Sequence, residues 1–202
     1  MKHINTYITE KLRITKGKRT EHTLFPETRI ELGKMIRDEI KKNGPECDLN
    51  HIDTSKILTM SYLFHKTTFN GDISQWDVSN VENMQDMFND SNFNGDISDW
   101  NVSKVEYMTS MFENSQFNGD ISQWNVSNVN NMASMFRNSI FNQDISDWDI
   151  SNVRNMYAMF KSSKFNQDIS MWKIHKHCDV VGMFIDSNIE YKYRPYQTGK
   201  KV

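Results

Sequence analysis

FNGDISQWDVSNVENMQDMF, residues 69–88, is the stretch whose reading decides how this chain folds, because it returns down the sequence at a fixed interval. Trp76, Trp100, Trp124, Trp148 and Trp172 stand 24 residues apart. So do Phe69, Phe93, Phe117, Phe141 and Phe165, and so do Phe64, Phe88, Phe112, Phe136, Phe160 and Phe184. Regular self-similarity of this length marks a repeat architecture, and the consensus unit is FNGDISxWxVSNVxNMxxMFxxS. Inside one unit, Trp76 and Val78 alternate with polar Gln75, Asp77 and Ser79, the period of a short strand facing inward. Met84, Met87 and Phe88 fall at i, i+3 and i+4, which predicts a short helix with one apolar face. The stretch 89–95 is rich in Asn, Asp, Ser and Gly, the residues of turns.

A unit with about eight apolar side chains has no second layer to cover them, so it gains stability only by stacking on its neighbours. The expected fold is therefore an α/β repeat solenoid, a stack of six 24-residue coils with a narrow parallel sheet and short helices. Two polar ladders share the register: Asn70, Asn94, Asn118, Asn142 and Asn166, and Asp72, Asp96, Asp120, Asp144 and Asp168. Turns inside a stack leave backbone groups that Asn and Asp side chains can satisfy. The competing reading is a calcium site. Each unit offers few close carboxylates and lacks the glycine-rich calcium nonapeptide.

Charge is unevenly spread. Residues 1–46 carry 11 Lys/Arg against 7 Asp/Glu, residues 48–189 carry 9 against 18, and the last 13 residues carry 4 against 1. An acidic middle argues against phosphate binding by the repeats, so no nucleic-acid partner is expected. Cys47 and Cys178 lie at opposite ends of the array, too far apart for a disulfide, and read as free thiols. No apolar leader and no run long enough for a membrane helix occurs, so the expectation is a cytoplasmic chain without a membrane span. Neither a phosphate-binding glycine loop nor a zinc-spaced cysteine pair is present, and no cofactor, metal or catalytic residue is expected. His175 and His177, beside Cys178 and Asp179, are a conceivable ligand cluster in a degraded last copy.

The unit 69–88 and its copies, with the W-[DN]-V-S-N-V and N-M-x-x-M-F motifs, resemble the tandem repeat of bacterial surface proteins grouped with the BspA-like leucine-rich repeats. The likeness covers residues 48–189. In the first copy Asp48, Leu49, Ile52, Asp53, Ile57, Met60, Leu63 and Phe64 fill the motif positions, with Ile52 in place of Trp. In the last copy His175 replaces Ser, His177 replaces Val and Ile189 replaces Phe. The resemblance implies a leucine-rich-repeat-like stack, recognition of proteins or surfaces, and no catalysis. Its members are often at the cell surface.

The chain divides into an amphipathic segment and linker (1–26), a capping helix (27–46), the six-repeat solenoid (47–190) and a tail (191–202). Pro26 before and Gly44-Pro45 after bound the helix, and Leu32, Ile36 and Ile40 form its stripe. It caps the first coil or, alternatively, docks a partner. Ile8 and Leu12 make 5–14 a candidate tethered docking peptide. The tail mixes Tyr191, Tyr193 and Tyr196 with Lys192, Arg194, Lys200 and Lys201, which suits covering the last coil better than stacking on single-stranded nucleic acid.

The side chains flanking Trp and Val form two outward columns. One is Gln75, Asp99, Gln123, Asp147 and Met171; the other is Asp53, Asp77, Asn101, Asn125, Asp149 and Lys173. They are the expected partner-binding face, and charge complementarity favours a basic protein. The alternatives are a structural spacer that touches partners through its termini, and, more weakly, a glycan-binding surface.

Overall fold

The computed structural model describes residues 20–197 and 199–202. The candidate docking peptide at 5–14 lies outside the described residues.

One helix, α1 (Arg29–Asn43), opens the described chain. The Thr28 hydroxyl accepts from the Glu31 N–H at 3.2 Å, and the Glu31 carboxylate accepts from the Glu27 N–H at 2.8 Å. The first bond satisfies an orphan donor of the helix start, and the second ties the residue before the cap to the first turn. Gly44 ends it at φ 88°, a left-handed position that suits glycine, with its N–H bonded to the Ile40 carbonyl at 2.8 Å. Leu32 and Ile36 are buried in the same core as the first repeat, and the Arg29 guanidinium donates to the Ser61 carbonyl at 3.0 Å.

The repeats do not build the expected α/β stack of six coils with a parallel sheet and short helices. Among the described residues the remaining regular structure is a 3-10 turn (Tyr191–Tyr193) and a hairpin of two-residue strands, β1 (Tyr196–Gln197) and β2 (Lys200–Lys201). Where a helix was expected, the chain runs through overlapping three-residue-offset turns. In the third repeat Met111, Glu113 and Ser115 donate to the carbonyls of Met108, Ser110 and Phe112 at 3.2–3.4 Å. Ser110 (φ 53°) and Asn114 (φ 55°) sit in the left-handed region, which breaks any helical run. The same two positions are left-handed in every repeat: Tyr62, Asp86, Ser110, Ser134, Ala158 and Gly182, then Lys66, Asp90, Asn114, Asn138, Ser162 and Asp186.

Where a strand was expected, two turns close it in. Trp100 donates back to Ile97 at 3.2 Å and Val105 to Val102 at 2.9 Å. Asp96 and Asn101 accept from the N–H groups of Ser98 and Ser103, two residues on. These Asx turns compete with strand pairing and leave no run long enough for a ladder of strands.

What joins the repeats is a row of single contacts at a 24-residue offset. Thr59, Asn83, Tyr107, Asn131, Asn155 and Asp179 form successive isolated parallel bridges. The turn segment of each repeat but the last donates forward from alternate residues: Met108, Ser110, Phe112 and Asn114 bond to the carbonyls of Asn131, Ala133, Met135 and Arg137 at 2.9 Å. Beneath this row the rings pile in register. Phe88 and Phe112 stack at 5.6 Å between centroids, Phe93 and Phe117 at 6.3 Å, and Trp76 and Trp100 at 6.4 Å with planes 3° apart. Offset stacks of this kind add to the burial of large apolar area.

Candidate functional site

The first expected column is exposed along its length: Gln75, Asp99, Gln123, Asp147 and Met171, the last 82% exposed. Among the described residues the carboxylates of Asp99 and Asp147 have no hydrogen-bonding partner. Gln75 differs, since the N–H and hydroxyl of Thr20 reach its side-chain oxygen at 3.2 and 3.3 Å. Thr20 and His22 line one groove with Asp53, Ser55, Gln75 and Asp77, so the leading segment occupies this part of the face.

The second column has a structural task that the alternation of polar and apolar residues did not reveal. Asp53, Asp77, Asn101, Asn125 and Asp149 each accept from the backbone N–H two residues on, at 3.0–3.2 Å. Hydrogen bonds from Ser151 hold the Asp149 carboxyl below its ordinary range, and those from Ser55 do the same for Asp53. Lys173 breaks the series and is exposed. These residues do not form a sheet face, because no sheet underlies them.

A third column belongs with the first. Asp48, Asp72, Asp96, Asp120, Asp144 and Asp168 are all exposed and each caps a turn through one oxygen, as Asp120 does for the Ser122 N–H at 2.9 Å. That contact, with the Ser122 hydroxyl, keeps the Asp120 carboxyl ionised below its usual range. A groove of about 250 Å³ brings Asp120, Gln123, Asp144 and Asp147 together from two successive repeats. The Asp ladder was visible in the sequence as a source of backbone partners. The missed signal is that a capping carboxylate keeps its second oxygen for a partner.

The Asn ladder closes on itself. Each Asn side-chain oxygen from Asn70 to Asn142 accepts from the backbone N–H of the Asn one repeat later, as Asn118 does from Asn142 at 2.8 Å. Among the described residues no three His, Cys, Asp or Glu side chains gather to hold a metal ion. The rings of His175 and His177 lie 5.6 Å apart, and the His175 Nδ1 accepts from the His177 N–H. Burial pushes the Cys178 thiol up to about 11. The Cys178 Sγ–H donates to the Asp179 carbonyl at 3.7 Å. What the acidic columns offer chemically is fixed negative charge in a repeating register.

No helix among the described residues is long and apolar enough to cross a membrane. No curated protein and no solved structure matches the chain. The family model described as "Mycoplasma protein of unknown function, DUF285" matches it twice, over residues 32–139 and 110–193. The two matches overlap and together span the repeats and most of α1, so the chain belongs to the DUF285 family.

Proposed function

We propose that this chain is a non-catalytic interaction module of the BspA-like kind, which holds a basic protein partner against its acidic columns. The observation that carries this reading is the exposed register of Asp96, Asp99, Asp120, Asp144 and Asp147, with no Lys or Arg at the same positions in those repeats. One exposed ion pair contributes at most about 1 kcal/mol, so recognition needs several of them in step. A periodic row of carboxylates supplies that, and favours a partner with lysines or arginines spread along an extended surface.

The test is a titration of a lysine-rich peptide against the wild-type chain and against the double variant Asp99→Lys, Asp147→Lys. These two side chains cap no turn, so the variant keeps its melting temperature. Binding that weakens with salt and is lost in the variant supports the reading. Equal binding by both proteins refutes it.

A further inference from the structure

The forward-donating row runs out at the last repeat. Met156, Ala158, Phe160 and Ser162 donate to the carbonyls of Asp179, Val181, Met183 and Ile185 at 2.7–3.0 Å. The residues one repeat later are Val180, Gly182, Phe184 and Asp186. Among the described residues none of these four N–H groups meets an acceptor. Gly182 (φ 69°) and Asp186 (φ 55°) keep the left-handed geometry of the inner repeats, so the row is formed and its donors point where a next repeat would lie.

The tail closes only the other half of this end. Glu190 donates its N–H to the Asn166 side chain at 2.9 Å, and Ile169 donates to the Tyr193 carbonyl at 3.1 Å. Lys173 bridges to Tyr196, and the Gln197 amide donates to the carbonyls of His175 and Cys178. Over residues 180–186 the tail leaves an open groove lined by Val180, Met183, Phe184, Ile185, Arg194 and Val202. Val181 and Ile185 are 66% and 51% exposed. At the opposite end the corresponding half lies against α1, so the two ends are not equivalent.

We propose that the row 180–186 is a docking edge for an acidic segment of a partner protein, which takes up the turned conformation of an inner row and adds to the end of the array as one more row. The edge presents donors alone, so its occupant must bring carbonyls at alternate residues. A second copy of this chain meets it poorly. Its own free edge is again a row of donors, and on its first repeat the Ser61 carbonyl is already taken by the Arg29 guanidinium of α1. Charge selects further among such segments. Arg194, stacked on the Phe184 ring at 5.2 Å, has no carboxylate partner among the described residues, and its buried Nε lacks an acceptor. In the tail Lys192 is paired with Glu190 at 2.9 Å and Lys201 donates to the carbonyls of Tyr191 and Lys192, which leaves Arg194 and Lys200 as its cations without a hydrogen-bonding partner among the described residues. Asp186 is the one carboxylate in the row itself, and the Asp179 side chain already accepts from the Val181 N–H. This surface is separate from the acidic columns, so the proposal stands apart from the function proposed above.

The probe is a synthetic peptide of residues 106–115, EYMTSMFENS. Inside the protein the carbonyls of Tyr107, Thr109, Met111 and Glu113 accept this same row of donors from the preceding repeat. The readout is amide hydrogen exchange in the full chain, residue by residue. Without peptide, the amides of Val180, Gly182, Phe184 and Asp186 exchange at least about tenfold faster than those of Met156, Ala158, Phe160 and Ser162. With saturating peptide they slow by about tenfold or more, and Arg194→Glu weakens peptide binding by about tenfold. The proposal is overturned if the four amides are already slow in the free chain, since the edge is then covered. It is equally overturned if that slowness grows with protein concentration, which assigns the edge to a second copy. Peptide that leaves the four amides unchanged, or that binds Arg194→Glu as it binds wild type, also overturns it.

Discussion

The indole Nε1 of Trp100 donates to the carbonyl of Ile73, one repeat back, at 3.2 Å. The same bond recurs from Trp76 to Leu49, Trp124 to Ile97, Trp148 to Ile121 and Trp172 to Ile145. Each tryptophan therefore fills the core and ties two repeats together. Trp100→Phe removes the bond and leaves a void beside Phe88, and is expected to lower unfolding free energy by about 2 kcal/mol. Chemical denaturation followed by circular dichroism measures this.

The Asn ladder separates shape from chemistry. Asn118→Ala leaves the Asn142 N–H without its acceptor and is expected to lose about 1 kcal/mol. Asn118→Asp keeps an oxygen in the same place and is expected to lose less, in the same denaturation experiment.

Left-handed backbone at non-glycine residues is a standing strain. Lys66 (φ 55°) is exposed, and its side chain has no hydrogen-bonding partner among the described residues. Lys66→Gly relieves the strain and keeps the backbone bond from residue 66 to the Asn89 carbonyl. A gain of about 0.5–1 kcal/mol is expected, read as a higher denaturation midpoint.

Glycine is required at one repeat position and optional at its equivalents. A Cβ at Gly71 would lie 2.0 Å from the Cys47 carbonyl oxygen, a backbone atom that cannot swing away. At Gly119 a Cβ would lie 2.9 Å from the Phe117 ring, which must shift, but the nearest backbone atom is 3.7 Å off, and Gln143 and Gln167 occupy the same place in later repeats. Gly71→Ala is expected to cost about 2 kcal/mol or more, and Gly119→Gln less than about 1 kcal/mol. Thermal melting of the two variants makes the comparison.

Cys178 supplies a pH-dependent prediction. Burial raises its thiol to about 11, so at pH 8 the thiolate fraction is about a hundredfold below that of an ordinary cysteine. Alkylation of the native chain at Cys178 is expected to be slower by at least that factor, and to become fast in denaturant. The folded pKa is the higher one. The unfolded chain therefore releases its proton first, and the contribution to stability present below pH 9 falls away between pH 9 and about 11.

The register, the core positions and α1 were legible because each rests on a strict spacing or a capping signal. Trp76, Phe88 and Phe93 recur without insertion, and Pro26 before and Gly44-Pro45 after bound the helix. The local structure inside a repeat was not legible. Met84, Met87 and Phe88 reach the core from consecutive turns as readily as from a helix. The distinguishing residues were Asp86 and Asp90, with Ser110, Asn114, Ser134 and Asn138 after them, which tolerate or prefer the left-handed region. Likewise Asp77 looked like an outward strand residue, but its oxygen caps the Ser79 N–H. The candidate site was half legible: Asp99 and Asp147 face solvent as expected, while Gln75 is engaged by Thr20, a contact no repeat pattern encodes.

Forward bonds reach only the adjoining repeat, so no repeat is tied to its absolute place in the chain. Excising residues 93–116, one whole period, would join Asn92 to Phe117 and leave each kind of bond with a partner of the same kind. Loss of a single residue would shift every ring, oxygen and left-handed position that follows relative to those before it. The fold can thus accept or give up whole units, and tolerates no length change smaller than one.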